Sequence, residues 1–440
     1  MGNAQVMSTK KMGLVALTLV TASNMMGSGV FLLPTNLANV GYISVWGWAL
    51  TIVGVMALAL VFAKTNLVQQ RAGGIVAYAG DAFGPFIGFQ STFCYWISAW
   101  VGNVALLVAG VGYLSYFFPQ MKNPMIGSLT AIGILWAFIG LSCFGAKVAG
   151  RAQSFTASCM LIVVLGVGLG GWGWFNPHTF TEVYNGTPHG SGAAIVTAAS
   201  IALWGFLGVE SAVVSTGQVE RPEYTVPRAT VIGLLIAAFC YVASCTVIMG
   251  IVPHAVLIKS AAPFADSARY MFGPRAGEIV SALSVIACLG SISGWLILQS
   301  ESARSGAERG LFPRFFADTN RNDVTVKGLV VTGVLMSGVL LLTASPDLAA
   351  QFQVIILMSV FASLLPYMYA VMALPIIMAS KKMNIGPTFK LYAVLALIGV
   401  VYSIFALLGS GSRSIFWGTA LIMVTIPLYS LVVRNQAART

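Results

Sequence analysis

Apolar residues in this chain gather into runs of about twenty, with little between them. Hydropathy separates about twelve runs, at 13–34, 42–64, 85–118, 125–146, 154–175, 192–217, 227–252, 273–303, 327–344, 350–379, 389–409 and 413–433. Each is near the ~20 residues that carry a helix across a bilayer's hydrocarbon core. In lipid such a run must satisfy its own backbone, which a helix does. Only 8% of the 440 residues are charged and 58% are hydrophobic, where a soluble domain carries roughly 25% charged residues. The expected fold is an all-α polytopic membrane protein with about 12 transmembrane helices, a single domain over 1–440.

Charge sets the expected orientation. With the first run entering from the cytoplasm, eighteen of the 23 Lys and Arg fall on the cytoplasmic side. That bias places both termini in the cytoplasm. It also accounts for the net charge of +11 without a nucleic-acid partner. Lys10 and Lys11 precede an apolar run with no small-residue cleavage site, so the run reads as a retained span and not a removed leader. No phosphate-binding GxxxxGK[ST] motif is present, which argues against ATP as the energy source. The six cysteines all lie in apolar segments and the three histidines in expected loops. Neither set has metal-ligand or disulfide spacing, so no metal and no cofactor is expected. Trp46, Trp48, Trp172 and Trp174 sit near span ends and read as an interfacial aromatic belt.

Two spans are interrupted. The first carries Gly27-Ser28-Gly29 within "NMMGSGVFLLP" (24–34), and the sixth reads "LWGFLGVESA" (203–212). Glycine is a poor helix former, but it also serves as a packing residue where membrane helices approach closely. Gly166 and Gly170 read that way. Two breaks five spans apart, one beside the carboxyl of Glu210, read instead as an inverted-topology repeat with a central site. The repeats would cover 13–175 and 192–379, with two additional helices over 389–433. After the first break, free N–H groups near Ser28, Gly29 and Val30 favour a carboxylate. Before it, carbonyls near Met25 and Met26 accept from an ammonium, and the second break adds carbonyls near Trp204 and Leu207. One such site would hold both ends of an α-amino acid.

The motifs "NMMGSGVFLLPTNLA" (24–38), "YWISAWVGN" (95–103), "GYLSYFFP" (112–119), "LWGFLGVESA" with "VPRAT" (226–230), "GSISGW" (290–295) and "LLPYMY" (364–369) resemble the basic amino acid–polyamine antiporters. These belong to the amino acid–polyamine–organocation superfamily. The resemblance implies a LeuT-like 5+5 inverted repeat with helices 1 and 6 broken. It implies exchange of a cationic amino acid for its decarboxylated amine or polyamine, as in arginine–agmatine, ornithine–putrescine and lysine–cadaverine exchangers. A cytoplasmic decarboxylase would supply the amine, and a homodimer in the inner membrane is implied. By position, Ser28 and Gly29 would hold the carboxylate, and carbonyls of Met25, Trp204 and Leu207 the α-amino group. Trp204 and Trp295 would sandwich the stem and cover the cation. Asn103, with backbone at Ser98 and Ala99, would receive the distal cation, and Ser359 would line the pocket. Tyr95, Glu210 and Tyr367 would form a cytoplasmic-side gate.

Of the twelve acidic residues only Glu210, Glu278 and Glu301 fall within the runs, and only Glu210 adjoins a break. An intramembrane carboxyl is a functional candidate, here for attracting cations, gating through a tyrosine and sensing pH. Glu278 reads as a solvated helix start near Arg275. Glu301 stands where the family carries Gln, in the cytoplasmic exit path or paired with Arg304. Val76 stands where the arginine exchangers have an aromatic residue linked to acid activation. The main competing function is a proton-coupled symporter or uniporter for the same substrates. A channel would need filter rings and an enzyme a nucleophile–base set, and neither pattern is visible.

Overall fold

The computed structural model describes residues 12–69, 74–143, 146–214, 216, 219–322, 324–344, 347–383 and 386–437. Among these, eight helices are long and apolar enough to cross a membrane. One more span is the pair Leu14–Met26 and Gly29–Val40, bent by 40°, and three shorter apolar helices cover Ser158–Trp174, Ser191–Trp204 and Val326–Leu342. Together they occupy the twelve segments read from the sequence. The only non-helical pairing among the described residues is an isolated bridge between Met12 and Val219.

Helix ends follow local chemistry. Proline occupies the first turn of the third (Pro85–Leu114), fourth (Pro124–Ser142), seventh (Pro222–Ile251), eighth (Pro274–Glu308) and eleventh (Pro387–Gly409) spans, where its missing N–H costs nothing. Asn123 caps the fourth span by accepting from the amides of Met125 and Ile126. Asp347 accepts from the amide of Ala350 to start the tenth span, Leu348–Ser380. Such caps satisfy amides that the helix itself leaves unpaired.

Three of the segments between the apolar runs carry helices, one of them the single turn Pro177–Phe180 within 176–191. Ile75–Phe83 forms one within 64–84. The 253–272 stretch holds His254–Leu257 and Pro263–Phe272. The latter begins with Pro263 and buries Phe264, Ala265, Ala268 and Met271, a half-apolar pattern too short for a hydropathy window. The belt reading fails at Trp48. Trp46, Trp172 and Trp174 are exposed, but Trp48 is buried and stacks on Tyr241 of the seventh span at 5.8 Å.

Packing puts the broken spans at the centre. The first span lies against the seventh, and the second (Ser44–Val68) against the sixth and seventh. The third packs on the eighth and tenth, the fourth on the ninth (Val326–Leu342), and the fifth (Ala146–Gly170) on the eighth. The eleventh span covers the second, sixth and tenth.

Candidate substrate-binding site

The first span stops at Gly27, whose φ of 21° and ψ of −163° end the helix, and resumes as a tight turn over Ser28–Leu32. The sixth span ends as a helix at Trp204 and runs through turns to Ser211. Gly208 has φ +100°, a backbone conformation that side chains disfavour. The two breaks rest on each other. A Cβ on Gly208 would stand 3.1 Å from the Asn24 carbonyl oxygen. The Tyr241 hydroxyl lies 2.7 Å from both the Met25 and the Gly205 carbonyl oxygens, so one buried side chain bridges both unwound segments.

Between them lies a partly open cavity. Eleven of the thirteen residues expected at the site line it: Met25, Gly29, Tyr95, Ser98, Ala99, Trp204, Leu207, Glu210, Trp295, Ser359 and Tyr367. The Ser28 side chain lies outside the described residues. Asn103 is buried but absent from the wall. Its Nδ2 donates to Gln299 Oε1 of the eighth span at 2.8 Å, and its carbonyl oxygen has no donor among the described residues.

Glu210 is 3% exposed. Its Oε1 accepts from the Tyr95 hydroxyl at 2.8 Å and its Oε2 from the Tyr367 hydroxyl at 2.6 Å. Tyr95 comes from the third span and Tyr367 from the tenth, just after Pro366. One carboxylate therefore fastens three spans at one end of the cavity, through charge-assisted bonds stronger than neutral ones.

Along the third and tenth spans the wall is a hydroxyl cluster. Ser98 Oγ meets Ser363 Oγ at 2.6 Å and donates to the Ser359 carbonyl at 3.0 Å. Ser359 Oγ donates back to the Ser98 carbonyl at 2.9 Å. Trp204 is wedged where glycine admits it. A Cβ on Gly29 would stand 2.7 Å from the indole Nε1, and one on Gly102 3.2 Å from Cη2.

Two carbonyls expected to receive an ammonium already accept one bond. Met25 O takes one from Tyr241, and Trp204 O takes one from the Leu207 amide at 3.3 Å. A carbonyl oxygen has two lone pairs, so each keeps capacity for a ligand.

Sequence reasoning missed Asn24, Gly27, Gly102, Gly208 and Ser363 in the wall, and Tyr241 and Gln299 behind it. Asn24, Gly27 and Gly208 adjoin the breaks, and that adjacency was the available signal. The other four sit mid-helix in spans of ordinary hydropathy and carried none.

Asn24, Tyr95, Gly208, Glu210 and Trp295 also line a second cavity with Val76, Glu301 and Arg309. Glu301 itself lies 3.6 Å from Arg304. Glu278 is exposed. A third cavity, lined by Lys122, Lys259, Asp266, Arg269 and Asp347 among others, shares no residue with the central one.

The family model for amino acid permeases matches residues 12–432. The chain belongs to that family. This permease is 37% identical over 427 residues to the putrescine transporter PotE of Escherichia coli strain K12, covering 96% of each chain. It is 36% identical over 427 residues to the PotE of Haemophilus influenzae, covering 96% of this chain and 97% of that one. It is 35% identical over 427 residues to a cadaverine/lysine antiporter of Escherichia coli strain K12, covering 96% of this chain and 95% of that one. The permease therefore falls with the basic amino acid–polyamine antiporters of the amino acid–polyamine–organocation superfamily. It is a multi-pass membrane transporter of amino acids or polyamines, and not an enzyme.

Proposed function

We propose that this permease exchanges a cationic amino acid for its decarboxylated amine across the cytoplasmic membrane by alternating access. The observation that carries the reading is Glu210. It is a buried carboxylate held by two tyrosines at one end of a cavity whose wall includes two helix breaks and two tryptophans. The carboxylate attracts cations, the indole faces suit a cation and an aliphatic stem, and the break at Gly29 suits the carboxylate of the amino acid.

The pairs in contention are ornithine with putrescine and arginine with agmatine. The relatives' names, putrescine in one case and cadaverine with lysine in the other, favour a diamine. So does the distal end of the cavity, where Asn103 is engaged with Gln299 behind the wall and the lining is short serine and alanine.

The packing supports two inverted repeats over 13–175 and 192–379, with the last two helices outside them. Exchanging each of the first five spans for the one five later turns the 1–7 contact into 6–2 and the 5–8 contact into 10–3. The contacts 3–8 and 4–9 map onto themselves, and all are present. The Lys and Arg bias supports cytoplasmic termini. The reading also expects a cytoplasmic decarboxylase that makes the amine from the imported amino acid, and a homodimer with one pathway per subunit.

The test is uptake of labelled ornithine, arginine and lysine into proteoliposomes. The vesicles are preloaded with putrescine, agmatine, cadaverine or nothing. Exchange predicts uptake only into vesicles holding the matching amine. Equal uptake into empty vesicles driven by a proton or sodium gradient overturns exchange in favour of symport.

A further inference from the structure

The indole N–H of Trp204 has no acceptor among the described residues. Trp204 is 7% exposed, and its Nε1 is shielded and without a partner among the described residues. Elsewhere in the wall Tyr95 and Tyr367 pair with Glu210, and Ser98, Ser359 and Ser363 with one another. Packing explains the ring but not the N–H. The ring fits between Gly29 and Gly102 and meets Phe352 edge-on at 6.3 Å, contacts that an all-carbon ring system would make equally well. A buried donor left unpaired is destabilising and calls for an explanation, a ligand that brings the acceptor being one.

Direction identifies the acceptor. Of the ring's atoms, Nε1 is the one nearest a Cβ built on Gly29, at 2.7 Å. The second half of the first span starts there, as Gly29–Val40. The opposite edge of the ring, Cη2, faces Gly102. The unpaired donor thus stands beside the start of the half-helix, the end of a helix that favours a carboxylate.

We propose that the Trp204 indole N–H donates to the carboxylate of the bound amino acid beside Gly29, and that it finds no acceptor on the decarboxylated amine. This rests on the exchange reading given above. Trp204 is then a specificity-determining residue. An amino acid satisfies the donor. A diamine presents at best an ammonium, which is donor-only, so the N–H stays unpaired and the amine leaves the site more readily.

The test compares equilibrium binding of L-ornithine and putrescine, and of L-arginine and agmatine, to the purified full-length protein. The proteins are wild type, Trp204→Phe, and a variant carrying 3-benzothienylalanine at 204, which keeps the ring shape with sulfur in place of N–H. Loss of a bond to a charged acceptor is expected to raise the amino acid's Kd about tenfold or more. The ratio of amine Kd to amino acid Kd falls by the same factor in the benzothienyl variant. Equal changes for both ligands, or none, in that variant overturn the inference and leave exchange standing. Wild-type protein that binds amines but no amino acid overturns the exchange reading and this inference with it.

Discussion

Replacing Glu210 by Gln removes a charge while keeping the shape of the gate. The Gln carbonyl can still accept from one tyrosine, and its NH2 can donate to the other, so the three-span junction persists. What is lost is attraction for the cationic ligand. Glu210 lines the cavity with Trp204, Leu207 and Trp295; the Coulomb estimate takes the nearer ammonium at roughly 6–8 Å from it. At an effective dielectric of about 20 that attraction is about 2–3 kcal/mol, or about 30- to 100-fold in Kd. The second ammonium of a diamine, at roughly 12 Å, adds ~1.4 kcal/mol and about another tenfold. In the amino acid the α-ammonium is offset by its own carboxylate. Glu210→Gln is therefore expected to weaken putrescine more than ornithine. The assay is equilibrium binding of both labelled ligands to purified protein at pH 7, with circular dichroism to check the fold. An unchanged Kd for putrescine, or equal losses for the two ligands, refutes the electrostatic role.

Trp295→Leu removes an indole shared by the central and second cavities. A cation over indole is worth about 0.5–2 kcal/mol, so Kd for either substrate should rise about 2- to 30-fold; wild-type exchange kinetics in proteoliposomes would disprove a cation-covering role. Gly29→Ala drives a methyl to 2.7 Å from Trp204 Nε1; binding should fall at least tenfold while the protein still purifies as a folded species, and wild-type affinity would mean that the indole moves aside freely. Tyr241→Phe strips the donor from the Met25 and Gly205 carbonyls; a stability loss of about 1–3 kcal/mol is expected, read as a lower melting temperature in detergent, and an unchanged melting temperature counts against Tyr241 as the bridge.

How far the sequence reaches differs by feature. The twelve spans were legible because crossing a bilayer demands a long apolar run, which hydropathy reads directly. The breaks were legible because glycine in such a run is locally unusual, and Gly27 and Gly208 do adopt backbone that favours glycine. Glu210 was legible because a carboxyl at membrane depth is rare. What stayed hidden was the supporting layer. Tyr241 looks like any aromatic in an apolar run, and only tertiary packing shows its hydroxyl between two carbonyls. Ser363 lies one helical turn beyond Ser359 and donates to its carbonyl at 2.7 Å, a local bond that says nothing about a cavity. Trp48 misled because distance from a span end is a proxy for depth, and a tryptophan near an end can still turn inward against Tyr241. Asn103 was placed by resemblance, while its hydrogen bond depends on Gln299, 196 residues away.

The cavities also constrain how the site opens. On one side the central cavity shares Asn24, Tyr95, Gly208, Glu210 and Trp295 with the cavity that reaches Glu301 and Arg309. Tyr95 and Glu210, joined by a hydrogen bond, are among the residues the two cavities share. A packed aromatic cluster adjoins the break as well. Phe31 lies two residues past Gly29, and its ring meets Tyr113 and Phe264 edge-on, each at 5.4 Å. The Tyr113 hydroxyl donates to the Phe31 carbonyl at 2.8 Å and accepts from the Phe264 amide at 3.3 Å. All three rings are fully buried, and residues near Tyr113 and Phe264 in the chain, Ser115 and Ala262 among them, line the cavity of Lys122, Asp266 and Arg269. Opening toward Glu301 requires side chains to part around one carboxylate. Opening the other way requires three packed rings from the first span, the third span and the Pro263–Phe272 helix to separate, exposing apolar surface at about 25 cal/mol per Å². The Phe31 ring rides on the same half-helix as Gly29, so any shift of that half-helix must repack the ring against Tyr113 and Phe264.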